Sequence, residues 1–130
     1  YGLDDSPIGQ AAWILEKFYQ WMDCDGHPEN VASRDELLDN VMMYWLPDAG
    51  ASSARIYWES FGNTNLDVIE LPVGCTLFPK EIFKTSERWA RARFTNLIHF
   101  EVMEKGGHFA AFEQPQALVD QIRSCFRQLR

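Results

Sequence analysis

Hydrophobic residues recur at helical spacing over residues 6–22, where Ile8, Ala11, Ala12, Leu15, Phe18, Tyr19 and Met22 share a face. Ser6 suits the cap of this helix and Pro7 its first position, where no backbone N–H is needed. The run Asp23-Cys24-Asp25-Gly26-His27-Pro28 ends it. A second helix is predicted from Ser33, which has capping-box spacing to Glu36. Its apolar stripe is Leu37, Leu38, Val41, Met42 and Trp45, and Pro47 stops it. A third, shorter helix covers residues 51–61, with Gly62 just past its end.

The pattern then changes. Residues 66–78 carry Val68, Ile69, Leu71, Val73, Cys75 and Leu77, a strand-like stretch interrupted by Pro72 and Gly74. Residues 86–94 read as a helix capped by Thr85 or Ser86. Residues 97–103 form a second strand, ended by Gly106 and Gly107. Pro115 opens a final helix striped by Leu118, Ile122, Cys125, Phe126 and Leu129, and Arg123, Arg127 and Arg130 near its end suit the helix dipole. The fold class is therefore α/β: a helical region, then two strands joined through a helix. That connection length implies a parallel pair. Parallel sheets are covered on both faces, and so few elements cannot cover themselves. The chain, which begins with Tyr1, reads as a piece of a larger α/β protein.

Composition narrows the classes. With 130 residues, 46% hydrophobic and 24% charged, the chain has a globular composition. No apolar run approaches the roughly 20 residues of a membrane span. Twelve Lys and Arg against nineteen Asp and Glu give a formal charge of −7, which argues against nucleic-acid binding. Three widely spaced cysteines, Cys24, Cys75 and Cys125, suit free thiols in a reducing compartment. Cys75 and Cys125 are expected to be small buried hydrophobes.

The chemistry concentrates after the second strand. Gly106-Gly107 allows a tight turn and places His108 at the strand's C-terminal end, the edge where functional groups collect in open α/β sheets. Glu81, in Phe78-Pro79-Lys80-Glu81, follows the first strand. In a parallel pair both residues emerge at one edge, and a carboxylate beside an imidazole fixes its tautomer and makes a general base. The alternative for a single strand-end His is a structural role. Other candidates have plainer readings. Asp23-Cys24-Asp25-Gly26-His27 lacks the remaining spacing of a calcium loop and is a polar connection. His99 is a packing or surface residue within a strand. Tyr44 and Trp45 suit packing, and Trp13 and Trp58 suit either packing or a pocket. Cys75 has no histidine neighbour implied by sequence.

The run Gly106-Gly107-His108-Phe109-Ala110-Ala111-Phe112-Glu113-Gln114-Pro115 resembles the histidine loop of epoxide hydrolases of the α/β-hydrolase superfamily, the microsomal type in particular. Residues Gly2-Leu3-Asp4-Asp5-Ser6-Pro7-Ile8-Gly9 through Glu16-Lys17-Phe18, then Tyr44-Trp45 and Phe78-Pro79-Lys80-Glu81, resemble parts of the same family in the same order. The resemblance implies the C-terminal part of an α/β-hydrolase fold, with residues 1–62 as helical lid and 63–130 as core. It makes His108 the catalytic histidine, Glu81 its acidic partner and Tyr57 one of two lid tyrosines that hold the epoxide oxygen. In this family a carboxylate opens the epoxide to a covalent ester, which the His–acid pair then hydrolyses to a diol, a detoxification chemistry. No metal or cofactor is implied.

No Gly-x-Asp-x-Gly or Gly-x-Ser-x-Gly nucleophile turn occurs, and no His-Gly-x-Pro oxyanion stretch. The nucleophile and the second tyrosine would lie in an N-terminal half before Tyr1, so this chain alone is expected to be inactive. The expected partners are a small apolar or aryl epoxide and that N-terminal half; exposed sheet edge and apolar surface also favour self-association. The expected location is cytoplasmic, with a membrane anchor elsewhere left open. The competing readings are a non-catalytic module with a hydrolase-like pocket, or another α/β hydrolase such as a dehalogenase or esterase. A lid phenol counts against the latter, whose leaving groups do not need it.

Overall fold

The computed structural model describes residues 1–62 and 67–130. They fall into two units, Tyr1–Gln20 with Cys24–Asn65, and Trp21–Asp23 with Leu66–Arg130. The expected boundary after residue 62 adjoins residues 63–66, and Leu66, the expected start of the first strand, lies outside the described residues.

In the first unit a short helix, α1 (Gly2–Asp5), precedes α2 (Pro7–Trp21). Ser6 Oγ accepts the N–H of Gly9 at 3.3 Å, the capping bond its position suggests. A 3-10 turn over Pro28–Asn30 leads to α3 (Arg34–Trp45). The Ser33–Glu36 capping box is complete: Ser33 Oγ accepts the Glu36 N–H at 3.3 Å and Glu36 Oε2 accepts the Ser33 N–H at 2.8 Å. Helix α4 (Gly50–Ser60) borrows its cap, because Ala49 at the N-cap has no side-chain acceptor. Asp4 Oδ1 accepts the Ala51 N–H instead, at 2.8 Å. Phe18, Cys24, Ala32, Leu37 and Val41 are the buried hydrophobes of this unit. Ile8, Tyr19, Leu38 and Met42, on the expected apolar stripes, are exposed. An amphipathic stripe marks what a helix is able to bury, and helices this few bury only its centre.

In the second unit β1 (Val73–Leu77) and β2 (Leu97–Val102) pair in parallel, with Leu77 opposite Val102. The connection holds α5 (Glu87–Arg93), capped by Ser86, whose Oγ accepts the Trp89 N–H. The first strand is shorter than the apolar run. Pro72 has no N–H for the ladder, so pairing starts with the Val73 N–H on the Asn96 carbonyl at 3.0 Å. Upstream, among the described residues, an isolated bridge joins Ile69 to Phe94. After β2 come α6 (Ala110–Glu113) and α7 (Pro115–Arg127). Helix α7 meets the sheet through buried Cys125: a Cβ on Gly74 would lie 2.5 Å from its Sγ. Ile122 and Phe126 are half-exposed at 47% each, so the small thiol, not the larger side chains, sits at the closest approach. Cys75, expected to be buried, is only partly so. Among the described residues no helix is long and apolar enough to cross a membrane.

Candidate active site

The two strands continue past their ladder into the loops that carry Glu81 and His108. The N–H of Met103 donates to the Leu77 carbonyl at 2.8 Å, and the N–H of Lys80 donates to the Gly106 carbonyl at 3.0 Å. The second bond belongs to a parallel bridge between Lys80 and Gly107. Glu81 and His108 are the next residues on each side, so the bridge sets them abreast at the C-terminal edge of the sheet. Buried Phe78 anchors one loop. Gly106 lets the other pass over it, with φ +109° and no room for a Cβ, which would fall 2.6 Å from Phe78 Cδ1.

Nδ1 of His108 lies 2.6 Å from Oε1 of Glu81. The same oxygen accepts the N–H of Ile82 at 2.7 Å. An ionised carboxylate only accepts, so the proton of a neutral His108 sits on Nδ1 and the lone pair on Nε2. That nitrogen has no hydrogen bond among the described residues. The pair is partly open to solvent, with side-chain exposures of 39% for His108 and 27% for Glu81. The imidazole has aromatic neighbours: Trp21 stands edge-on at 5.2 Å between centroids and Phe109 edge-on at 5.1 Å.

The histidine loop is also held by groups the sequence reading did not single out. The N–H of His108 donates to the Trp21 carbonyl at 2.9 Å. Asp23 Oδ2 accepts the Gly106 N–H at 3.0 Å. The buried carboxylate of Glu113 accepts three backbone N–H groups: those of Asp23 at 2.7 Å and Gly107 at 2.9 Å on Oε2, and that of Phe109 at 3.0 Å on Oε1. So Asp23, read as part of a polar connection, makes two bonds to this loop. The faint signal in the sequence was a carboxylate four residues after Phe109, at the spacing of a helical turn.

Tyr57 lies on α4 in the first unit, half-exposed, edge-on to Trp13 at 5.7 Å and tilted against Phe61 at 5.5 Å. His99, expected to be a packing or surface residue, shares a hydrogen bond with Gln121, Nε2 to Oε1 at 2.8 Å. His27 Nδ1 accepts the N–H of Glu29 in the connection after α2. Burial pushes the Cys75 thiol up, with Cys125 adding to the effect, which opposes the thiolate a cysteine nucleophile needs.

No protein-family model matches the chain. It is 53% identical over its full length to a putative epoxide hydrolase of Stigmatella aurantiaca, of which it covers 30%. It is 40% identical over 93% of its length to epoxide hydrolase 1 of Sus scrofa, covering 29% of that protein. The crystal structure of the juvenile hormone epoxide hydrolase of Bombyx mori superposes with a TM-score of 0.88 at 30% identity, over 99% of this chain and 36% of that one. An epoxide hydrolase of Aspergillus niger gives a TM-score of 0.76 at 28% identity. The chain thus spans about 30% of the length of the curated relatives it matches. Its helices and parallel strand pair are part of the α/β-hydrolase fold that the solved epoxide hydrolases share.

Proposed function

We propose that this chain, a segment of the α/β-hydrolase fold related along its length to epoxide hydrolases, supplies the ester-hydrolysing half of an epoxide hydrolase. A carboxylate nucleophile from a part of the enzyme outside this segment attacks an epoxide carbon; the C–O bond breaks and a hydroxyalkyl ester forms. An alkoxide leaves poorly, so a phenol must donate to the oxygen as the ring opens, and Tyr57 takes that role. His108 Nε2 then removes a proton from water, the hydroxide adds to the ester carbonyl, the diol leaves with the carboxylate regenerated, and the imidazolium proton returns through solvent to the Tyr57 phenolate. Glu81 keeps the Nδ1 proton in place and balances the imidazolium that forms. The substrate class is a small apolar or aryl epoxide, the chain by itself turns over none, and the setting is the cytoplasm.

The observation that supports this most is the 2.6 Å contact of His108 Nδ1 with Glu81 at the carboxyl edge of a parallel strand pair, which leaves Nε2 for water. A non-catalytic module has no use for a carboxylate held so close to one imidazole nitrogen with the other left open. The test is His108→Gln in the full-length enzyme that carries this segment. It should still form the covalent ester and hydrolyse it about 10²–10⁴-fold more slowly, as loss of a general base costs. Mass spectrometry of the intact protein after mixing with styrene oxide detects the trapped adduct. Turnover at the parent rate, or slow turnover with no adduct, overturns the assignment.

A further inference from the structure

We propose that Glu113 is the positioning residue of this site, holding His108 against Glu81 by gripping the backbone on both sides of it. The proposal rests on the ester-hydrolysing role of His108. Glu113 is 8% exposed, and among the described residues it makes no ion pair. Three backbone N–H groups hold its charge instead. Two of these, Gly107 and Phe109, are the immediate neighbours of His108, one on each carboxylate oxygen. The third, Asp23, lies beside Trp21, whose carbonyl takes the N–H of His108 itself. Four consecutive backbone N–H groups, Gly106 through Phe109, are therefore bonded to Asp23, Glu113, Trp21 and Glu113 in turn. The peptide units around His108 cannot rotate without breaking a hydrogen bond, and three of the four bonds are to a carboxylate.

The chemistry of the donor set calls for a carboxylate. Glutamine offers one oxygen, so its NH₂ would face either the Phe109 N–H or the Gly107 and Asp23 pair, donor against donor. A buried N–H left without an acceptor is costly, and the loop would shift to relieve it. A general base displaced by about 1 Å loses on the order of 10²-fold in rate. Among the described residues the Glu113 carboxylate bonds to the backbone N–H groups of Asp23 and the histidine loop and to no other group. Its effect should fall on the step His108 performs, and on no other.

That selectivity separates positioning from simple structural support. In the full-length enzyme, Glu113→Gln should form the ester at the parent rate per folded molecule and hydrolyse it about 10–10²-fold more slowly. The ester then accumulates, and kcat and KM fall together while kcat/KM holds. A purely structural residue would instead lower the active fraction, reducing kcat at constant KM with no build-up of ester. Rapid-quench mass spectrometry with styrene oxide reads both steps. Glu113→Asp keeps the charge but withdraws it by one methylene, and should show the same pattern more weakly; it also serves if Glu113→Gln does not fold. Failure of both variants to fold would make Glu113 structural and overturn the proposal, as would equal loss in both steps. If His108→Gln traps no ester, the ester-hydrolysing role itself fails. If it traps ester while Glu113→Gln hydrolyses normally, only the positioning role fails.

Discussion

Oε1 of Glu81 is shared by two donors, His108 Nδ1 at 2.6 Å and the N–H of its own neighbour Ile82 at 2.7 Å. The backbone bond fixes the carboxylate before the imidazole meets it. Such an arrangement selects one tautomer of His108 without help from substrate.

Glu81→Gln in the full-length enzyme should therefore leave ester formation intact and slow ester hydrolysis on the order of 10²-fold, less than His108→Gln does. The amide is able to accept from Nδ1 through its oxygen, but it brings no charge to balance the imidazolium. Single-turnover mixing with an epoxide, followed by mass, distinguishes the two. An effect of Glu81→Gln on the opening step instead would assign the carboxylate a different role.

The parts of this site that were legible in the sequence are those with a one-dimensional signature. Two apolar runs flanking a capped helix imply a parallel pair, and the residues after each run then share an edge; that sets Glu81 and His108 together, while the choice between a structural and a catalytic His108 rested on the family resemblance. Ser33 and Glu36 are equally legible, because a capping box is local. Glu113 was not. Its partners are backbone N–H groups, which every residue but proline carries, and one belongs to Asp23, 90 residues away. The choice of Cys125 over Ile122 as the contact with the sheet depends on the missing side chain of Gly74, a steric fact with no period. Pro72 was legible as an interruption of the apolar run, yet the apolar residues before it carried the expected strand upstream of where pairing starts.

Gly107→Ala should destabilise the second unit. A Cβ there would overlap the Trp21 carbonyl oxygen and come within 2.9 Å of the Asp23 nitrogen and 3.0 Å of Glu113 Oε1. Two of these are backbone atoms that cannot swing aside. Overpacking of this kind costs about 1–3 kcal/mol, and the melting temperature should fall by several degrees. Gly62→Ala is the matched control, because among the described residues nothing lies within 4 Å of its added Cβ. Equal melting temperatures for Gly107→Ala and the parent would mean that the loop has room it does not show.

The capping box gives a pH-dependent contribution whose sign is fixed. Hydrogen bonds from the Ser33 side chain, then from its backbone, hold the Glu36 carboxyl below its usual range. A depressed folded-state pKa stabilises the fold above the ordinary carboxylate pKa, and that contribution disappears as pH falls through the folded value. Ser33→Ala should lower the melting temperature by a few degrees at pH 7. The gap between variant and parent should narrow on acidification below the usual carboxylate range. Circular-dichroism melts from pH 7 down to pH 3 check it, and a gap that widens with acid would refute the assigned sign.

Tyr57 is where packing and chemistry predict different things. Its ring is edge-on to Trp13 and tilted against Phe61, an aromatic cluster that accounts for its place on α4 without any appeal to catalysis. Ring packing is blind to the hydroxyl, however, and Tyr57 is 42% exposed. No hydrogen bond is made by that hydroxyl among the described residues. Tyr57→Phe keeps every ring contact and removes only the donor. If the tyrosine only packs, melting temperature and both chemical steps should match the parent. As the donor to the opening epoxide it should leave stability unchanged and slow ester formation by about 10²–10³-fold, the loss typical of an oxyanion donor. Ester hydrolysis should be spared, because the alkoxide has already been protonated by then. The two histidine-side variants and this one thus fall on opposite sides of the covalent intermediate. His108→Gln and Glu81→Gln accumulate ester, Tyr57→Phe starves it, and rapid-quench mass spectrometry on the full-length enzyme reads the difference. Unchanged ester formation in Tyr57→Phe would return the residue to packing and leave the chemistry of this segment to Glu81 and His108.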